Sequence, residues 1–353
     1  MREQLHNSPR LSRISLRSIR ATIMRLFRMP SPPATPVAIE AATSASASGH
    51  VPDELDSFHP EGAFEDPDRM EEVYLDGMRD AENDPEGQRR IEIFHEHKDR
   101  KIAFASFAAS ALPRAKAAFL ARFGLSVESD IVDVGCGSGR LVYTLHKLGY
   151  KRLCAMDPNR NYYSGTGYLS EVAASDVTII NDIDAWRRDF VGRFDAVITQ
   201  ATIHHWPHIG LGALDVRRNL KPRGYWFAFD EFFAASPREF ITAMKGHAGR
   251  KYNCYEWAYP APVYVDLLQS VGVALVAVIP LHYRGNELIR YKPEVPSGLD
   301  LKALDAAVDA SALAGETVDM FWREVDDVRR GRRAAADGLF TKPQVLVFQR
   351  IDV

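Results

Sequence analysis

The sequence predicts an α/β protein built on a doubly wound sheet, and three observations predict this class. After Gly124, short runs rich in β-branched residues alternate with longer helical stretches, as parallel strands joined by crossover helices require. The first of these runs ends in a turn that contains three glycines. The chain has 353 residues, 46% hydrophobic and 26% charged, which is typical of a globular protein with one large domain and extensions.

The N-terminal residues differ in composition from the rest. Residues 1–29 carry seven arginines and one acidic residue, Glu3. If residues 11–28 are helical, their apolar side chains form one stripe beside the arginines, and residues 10–29 could make peripheral contact with an anionic membrane. A disordered tail, an over-extended translation start and an organelle transit peptide are the alternatives. Residues 30–64 are predicted to be a low-complexity linker, because their Pro-, Ala- and Ser-rich part cannot build a core.

The remaining elements are predicted in chain order. A helical cap over residues 65–123 contains helices at 69–82 and 86–123, with Pro85 and Pro113 as interruptions. The main domain then spans 124–353. Its predicted strands are 130–134, 152–156, 176–180, 194–199, 224–229, 273–281 and 344–349. A helical insertion within about 284–342 precedes the last strand and is expected to pack on the sheet.

The glycine turn follows the first strand directly and precedes a helix. Gly135, Gly137 and Gly139 permit positive φ angles and let a ligand reach the backbone, while the helix start presents free N–H groups. Dinucleotide-binding turns have the longer spacing G-x-G-x-x-G. Here Arg140 stands where the third glycine is expected, so a pyrophosphate is the poorer match.

Acidic residues end the next two strands. Asp157 ends the second strand, where a carboxylate can accept both hydroxyls of a ribose. Asp182 follows the third strand, where an adenine edge could lie. The order of these groups along the sheet edge indicates a nucleoside ligand.

Five features, in this order along the chain, resemble those of class I S-adenosylmethionine-dependent methyltransferases. They are DVGCGSG, the acid Asp157 at the end of the second strand, NDI, FDAVITQATIHHW and LKPRGYWFAFDE. The resemblance covers roughly residues 128–350. It implies a Rossmann-like, mostly parallel sheet of seven strands with a reversed last strand, and S-adenosyl-L-methionine as the cofactor. The three widely spaced cysteines favour reduced thiols, so we expect a cytoplasmic location, with peripheral membrane contact through the N-terminal arm.

The resemblance also implies which residues bind the cofactor: Asp133, Gly135, Cys136, Gly137, Gly139, Asp157, Pro158, Asp182, Ile183 and Gln200. The first five would surround the methionine part, and Asp157 would hold the ribose. Asp182 and Ile183 would meet the adenine, and Gln200 the methionine amino group. As alternatives, Asp133 braces the turn, Asp182 caps a helix, and Asp157 is a plain turn acid.

Catalytic candidates follow the fourth and fifth strands. His204 and His205 titrate near neutral pH, as a general base requires. Adjacent residues on a helical turn diverge by roughly 100°, so only one is expected to face the site, and His205 is preferred. The alternative is that one histidine only bonds a loop. Glu231 is expected to orient the base and Asp230 to bind a polar substrate, unless both cap a helix at 237–246.

Substrate-binding candidates lie in a segment dense in aromatic, amide and acidic groups: Tyr252, Asn253, Tyr255, Glu256 and Trp257. Such groups can stack on a sugar or ring and bond its hydroxyls. Aromatic packing of a lid over the core is the alternative. Residues 95–101, HEHKDRK, are expected to form a solvated helix face, with a contribution to the entrance of the same site as the alternative.

Together these features predict an O-methyltransferase for a small or glycan/lipid-linked hydroxylated substrate. A NAD-dependent oxidoreductase and a non-catalytic methyltransferase-like scaffold are the alternatives. No metal is expected, because His95 and His97 are two residues apart and lack a companion cluster. No nucleic acid is expected as a partner, because the core lacks a basic, aromatic-interleaved patch. The sequence at the end of the fourth strand, QATIHH, also differs from the Asn/Asp-Pro-Pro-aromatic tetrad of related amino-methylating enzymes.

Overall fold

The computed structural model describes residues 67–244 and 257–351. The predicted arm and linker, residues 1–64, and four substrate candidates, Tyr252, Asn253, Tyr255 and Glu256, lie outside these ranges. Within them, no helix is both long enough and apolar enough to cross a membrane.

The helices and strands alternate as predicted after residue 124. The helices are α1 Pro67–Glu82, α2 Pro85–Phe94, α3 Arg100–Ala109, α4 Ala111–Arg122, α5 Arg140–Lys147, α6 Gly167–Ala173, α7 Ile183–Asp189, α8 Ile209–Asn219, α9 Pro237–Met244, α10 Ala261–Gln269, α11 Leu301–Ser311 and α12 Glu316–Arg329. The strands are β1 Asp130–Val134, β2 Arg152–Met156, β3 Thr178–Ile180, β4 Phe194–Gln200, β5 Leu220–Phe229, β6 Val273–Ile279 and β7 Val345–Arg350. Short 3-10 turns lie at Ile203–His205, Tyr283–Gly285 and Ala335–Asp337.

The seven strands form one sheet in the order β3-β2-β1-β4-β5-β7-β6. The neighbouring strands from β3 to β5 run parallel, and β7 runs antiparallel to both of its neighbours. The predicted fold class, with its reversed last strand, is therefore confirmed. The strand order reverses direction between β1 and β4, and in such sheets ligands bind outside the carboxyl ends of the strands at this point.

Apolar side chains cover both faces of the sheet. Phe119 and Phe227 belong to the cluster on one face, and Trp226 and Phe348 to the cluster on the other. Because parallel strands are buried on both faces, they appear in the sequence as nearly continuous apolar runs. This explains why their positions could be predicted.

The helical cap differs from the prediction, because the expected helix over 86–123 is three helices. The chain leaves α2 at His95, whose left-handed conformation (φ 52°) ends the helix, and α3 begins after Asp99, which caps it. Pro113 does not interrupt α4 but lies in its first turn, where no intrahelical N–H bond is needed. The segment predicted as a solvated helix face is thus mostly a loop between α2 and α3.

Arg140 ties this loop to the glycine turn. Its Nη1 donates to the carbonyls of Phe94 and His95, both at 2.7 Å, and its Nη2 donates to Glu96 at 2.5 Å. Arg100 contacts the same carboxylate at 3.1 Å. The residue that replaces the third glycine of a dinucleotide turn therefore anchors the helical cap on the main domain.

Candidate functional site

A cavity of about 1230 Å³ opens at the carboxyl ends of β1, β2, β4 and β5. Its lining includes eight of the ten predicted cofactor residues: Asp133, Gly135, Cys136, Gly137, Asp157, Pro158, Ile183 and Gln200. The loop after α2 and the segment around Arg290 complete the wall. The cavity therefore lies where the change in strand order places a ligand.

The three glycines of the turn all adopt left-handed conformations, with φ angles of 68°, 53° and 77°. A Cβ on Gly135 would lie 2.1 Å from Thr202 Cγ2, and one on Gly139 would lie 2.4 Å from Leu169 Cδ2. A Cβ on Gly137 would meet no protein atom within 3.6 Å, since the nearest lies at 3.7 Å. Gly135 and Gly139 are thus required by packing, whereas Gly137 keeps backbone open toward the cavity.

Asp157 joins the turn to the end of β2. One carboxylate oxygen accepts the Gly137 N–H at 2.7 Å, and the other accepts the Asn159 N–H at 2.9 Å. Burial raises the pKa of Asp157 to about 6, against the opposite effect of these two bonds. Each carboxylate oxygen can accept a further hydrogen bond, so Asp157 can brace the turn and still receive ribose hydroxyls.

Asp133 presents an unsatisfied acceptor. The residue is 4% exposed, and its Oδ1 has no hydrogen-bond partner within the described ranges. Burial raises the pKa of Asp133 to about 7. An orphaned buried acceptor of this kind calls for a donor, and the amino group of a methionine moiety is one.

Lys116 lies behind this acceptor and was not among the predicted residues. It is fully buried on α4, and its Nζ bonds to Oε1 of Gln200 and lies 4.5 Å from the centre of the Phe229 ring. Burial lowers the pKa of Lys116 to about 7. Gln200 is therefore held at the cavity wall by a lysine from the helical cap.

Asp182 makes the contacts of a helix cap. Its Oδ1 accepts the N–H groups of Asp184 and Ala185 at 2.8 and 3.3 Å, at the start of α7. It lies in a smaller depression beside the main cavity, which shares Pro158 and Ile183 with it. Its role toward an adenine stays a prediction, while the capping alternative describes what its side chain does in the structure.

His204 is paired with a buried carboxylate. Its Nδ1 lies 2.9 Å from Oε2 of Glu231, whose other oxygen accepts the N–H groups of Thr202 and Ile203 at 3.0 and 3.1 Å. Burial alone would raise the pKa of Glu231, but these bonds outweigh it and hold the pKa below its usual value. Since an ionised carboxylate only accepts hydrogen bonds, Nδ1 of His204 carries a proton.

His205 also lines the cavity, with its ring centre 4.2 Å from that of His204. The contact with Glu231 nevertheless belongs to His204. Both rings therefore line the cavity, contrary to the expectation that only one would face it, and the choice of base between the two histidines stays a prediction.

The ends of β4 and β5 have unusual backbone conformations. Ala201 and Asp230 adopt φ angles of 48° and 56°, which cost about 1 kcal/mol each for residues with a side chain. The turn at Asp230 sends its carboxylate to Arg290 at 3.0 Å, while Glu231 reaches His204. Neither acid caps α9, so the alternative of two helix caps is excluded.

Trp257 packs outside the cavity. The centre of its ring lies 4.7 Å from that of Phe240 in a small apolar cluster. The backbone N–H of Trp257 donates to the carbonyl of His204 at 3.2 Å. The lid-packing alternative therefore describes Trp257. In the described part of the chain, no group of three or more His, Cys, Asp or Glu residues is arranged to hold a metal ion.

Comparisons with known proteins agree with this geometry. Residues 132–228 match a family model described as a methyltransferase domain. No curated protein matches the chain.

Similar solved structures are distant. The 1,6-didemethyltoxoflavin-N1-methyltransferase of Burkholderia thailandensis has 15% identity and a TM-score of 0.40, over 69% of this chain and 79% of that one. The CurJ carbon methyltransferase has 12% identity and a TM-score of 0.41, over 72% and 59%. The arsenic(III) methyltransferase CrArsM of Chlamydomonas reinhardtii has 22% identity and a TM-score of 0.32, over 41% and 52%. Their acceptors are not carried over to this chain.

The matched segment contains the glycine turn, Asp157, β4 with the histidines that follow it, and all of β5 but its last residue. Asp230 and Glu231 come after it. Residues 132–228 are therefore a methyltransferase domain. S-adenosyl-L-methionine is the cofactor that the resemblance of its motifs implies. The residues present fit that cofactor, since they offer open backbone at Gly137, an orphaned acceptor at Asp133 and spare acceptor capacity at Asp157.

We predict that Gly137→Ala weakens the binding of S-adenosylhomocysteine at least tenfold while the protein still folds. The new methyl group would occupy the space beside the Gly137 backbone that the ligand needs. The left-handed alanine should cost about 1–2 kcal/mol of stability. Gly192→Ala is the matched control, because it has φ 67° and no atom within 4 Å of its Cβ, far from the turn in sequence. Calorimetric titration showing equal affinity in both variants would contradict the prediction.

We also predict a pH-dependent effect of Asp133→Asn. The folded protein holds the Asp133 proton up to about pH 7, whereas the unfolded chain releases it near its ordinary value of 3.8. Stability of the ligand-free protein therefore falls as pH rises between these values. The asparagine variant does not titrate, so its advantage over the wild type should grow from pH 5 to pH 8, reaching about 1–4 kcal/mol. Urea unfolding at both pH values measures it, and an advantage independent of pH would refute it.

Proposed function

We propose that the protein transfers a methyl group from S-adenosylmethionine to a hydroxyl group of a small or glycan/lipid-linked molecule, with His204 as the general base. The observation that carries this proposal is the buried pair of His204 and Glu231 at the cavity wall. A hydroxyl acceptor must lose its proton during transfer, and an oriented histidine can take it near neutral pH.

The cofactor, when bound, supplies the methyl group on a sulfonium that needs no further activation. The residues of the chain supply alignment and the removal of one proton. Aligning two reactants in a closed cavity can account for about 7–11 kcal/mol of a barrier. Gln200, held by Lys116, and the turn braced by Asp157 are the rigid elements on which such alignment would rest.

The proton has a defined path in this proposal. It leaves the acceptor hydroxyl for Nε2 of His204 as the new carbon–oxygen bond forms. The imidazolium is then stabilised by Glu231, which is ionised because several N–H groups donate to it. Glu231 is a positioning residue here, since it acts through His204 and does not touch the acceptor.

The two alternative functions lack comparable support. An oxidoreductase that binds NAD is expected to have the longer glycine spacing, and here Arg140 fills the place of the third glycine and anchors the helical cap. A non-catalytic scaffold has no need of a buried histidine–carboxylate pair at the cavity. The cytoplasmic location and the peripheral membrane contact through residues 10–29 stay proposals that rest on composition alone.

We predict that His204→Asn lowers kcat by about 10²–10⁴-fold, because the amide of asparagine can replace the Nδ1–H that faces Glu231 but offers no basic nitrogen. His205→Gln should lower kcat less than tenfold. Transfer of isotope-labelled methyl groups into a small-molecule extract measures both, and titration with S-adenosylhomocysteine serves as the binding control. A larger loss of kcat in the His205 variant would identify His205 as the general base. An unchanged kcat in both variants would exclude a histidine base.

A further inference from the structure

Arg290 is held in one orientation at the cavity wall. Its Nε donates to Oδ2 of Asp230 at 3.0 Å, and its backbone N–H donates to the same oxygen at 3.2 Å. The guanidinium also lies over the ring of Phe94, 5.0 Å from the ring centre. Two contacts of the side chain and one of the backbone restrict the conformations of Arg290, so a ligand that binds it loses little further conformational entropy.

The two terminal nitrogens of the Arg290 guanidinium, Nη1 and Nη2, remain available as hydrogen-bond donors. Within the described ranges, no hydrogen bond engages Nη1 or Nη2 of Arg290, although the side chain is only 21% exposed and lines the cavity. These nitrogens form a planar fork that matches the two oxygens of a carboxylate or phosphate. A held guanidinium with a free fork is therefore suited to an oxyanion.

Arg290 lies near other arginines and their carboxylate partners. Arg100 and Arg140 share one carboxylate, that of Glu96, while Asp230 balances Arg290. Nε and Nη2 of Arg100 are buried and have no partner within the described ranges. The cavity lining as a whole also holds the acids Asp133, Asp157 and Glu231, so its net charge does not favour an anion. The unoccupied donors of Arg290 are what favour one.

The position of Arg290 relates directly to His204. Asp230 and Glu231 are consecutive residues after β5, and they hold Arg290 and His204 respectively. Arg290 and His204 both line the same cavity, which is where an acceptor would meet the base. Arg290 lies beyond the segment that matches the family model.

We propose that the methyl acceptor carries a carboxylate or phosphate group that binds to Nη1 and Nη2 of Arg290. This contact fixes the acceptor with its hydroxyl toward His204, and the inference rests on the proposed function. It narrows the substrate class from hydroxylated molecules in general to hydroxylated anions, and it assigns Arg290 and Asp230 to substrate selection.

The test uses the full chain saturated with S-adenosylhomocysteine at pH 7.5 and two series of probes. One series is 4-hydroxybenzoate, 4-hydroxyphenyl phosphate and 4-hydroxybenzamide, and the other is glycerate, glycerol phosphate and glycerol. Ligand-observed NMR titration gives the dissociation constants. In at least one series, we expect an anionic probe to bind at least tenfold more tightly than its uncharged partner. The better anion in that series distinguishes carboxylate from phosphate.

Three variants assign the effect to Arg290. Arg290→Gln should reduce the preference for the anion to twofold or less. Arg290→Lys keeps a charge beside Asp230, so the fold is preserved, but it lacks the fork and should weaken anion binding about five- to tenfold. Arg330→Gln is the matched control, because it removes the same charge from an exposed residue paired with Asp326 and should change nothing.

Two results would overturn the inference: no anionic probe preferred over its uncharged partner in either series, or an undiminished preference in both Arg290 variants. Failure of the proposed function is recognised separately. In that case the His204 variant would keep its kcat, whatever the probes show. Conversely, the Arg290 variants should bind S-adenosylhomocysteine like the wild type, so a loss of anion preference cannot be attributed to a lost cofactor.

Discussion

The hydrogen bond from the Gly137 N–H to Asp157 is the interaction on which the site depends. It joins the turn after β1 to the end of β2, and it can form only because the turn follows left-handed conformations at its three glycines. Thr202 and Leu169 fill the space that side chains on the other two glycines would occupy. The turn is thus fixed by three different parts of the chain and leaves open backbone on one side alone.

The other half of the cavity is organised by the end of β5. A left-handed residue at Asp230 separates the directions of two consecutive acids, so that one orients a histidine and the other holds an arginine. Strained conformations at neighbouring strand ends persist only where the surrounding contacts determine them, and they often mark functional positions. Here the strain coincides with the residues to which we assign proton removal and substrate selection.

Much of the fold could be predicted because buried parallel strands leave a continuous apolar signal. The break between α2 and α3 could not, because helical residues continue through 95–99 and the ending depends on the conformation of His95. Pro113 suggested an interruption, but proline is tolerated in a first helical turn. The burial of Lys116 is indicated by the sequence, because this charged residue lies on the same helix face as the apolar residues Leu112, Phe119 and Leu120.

The candidate site was predictable only where local pattern determines it. The glycine turn and Asp157 are such cases. The carboxylate that orients His204 lies 27 residues further along the chain. The carboxylate that holds Arg290 lies 60 residues before it. No local spacing contains that information, because these pairs form when the sheet brings distant strand ends together.

A crystal structure of the protein grown with S-adenosylhomocysteine tests the central claim most directly. We expect electron density for the nucleoside against the turn at 135–139, with the ribose hydroxyls on the carboxylate of Asp157. Density for the compound at another surface, or a cavity that stays empty at saturating concentration, would contradict it.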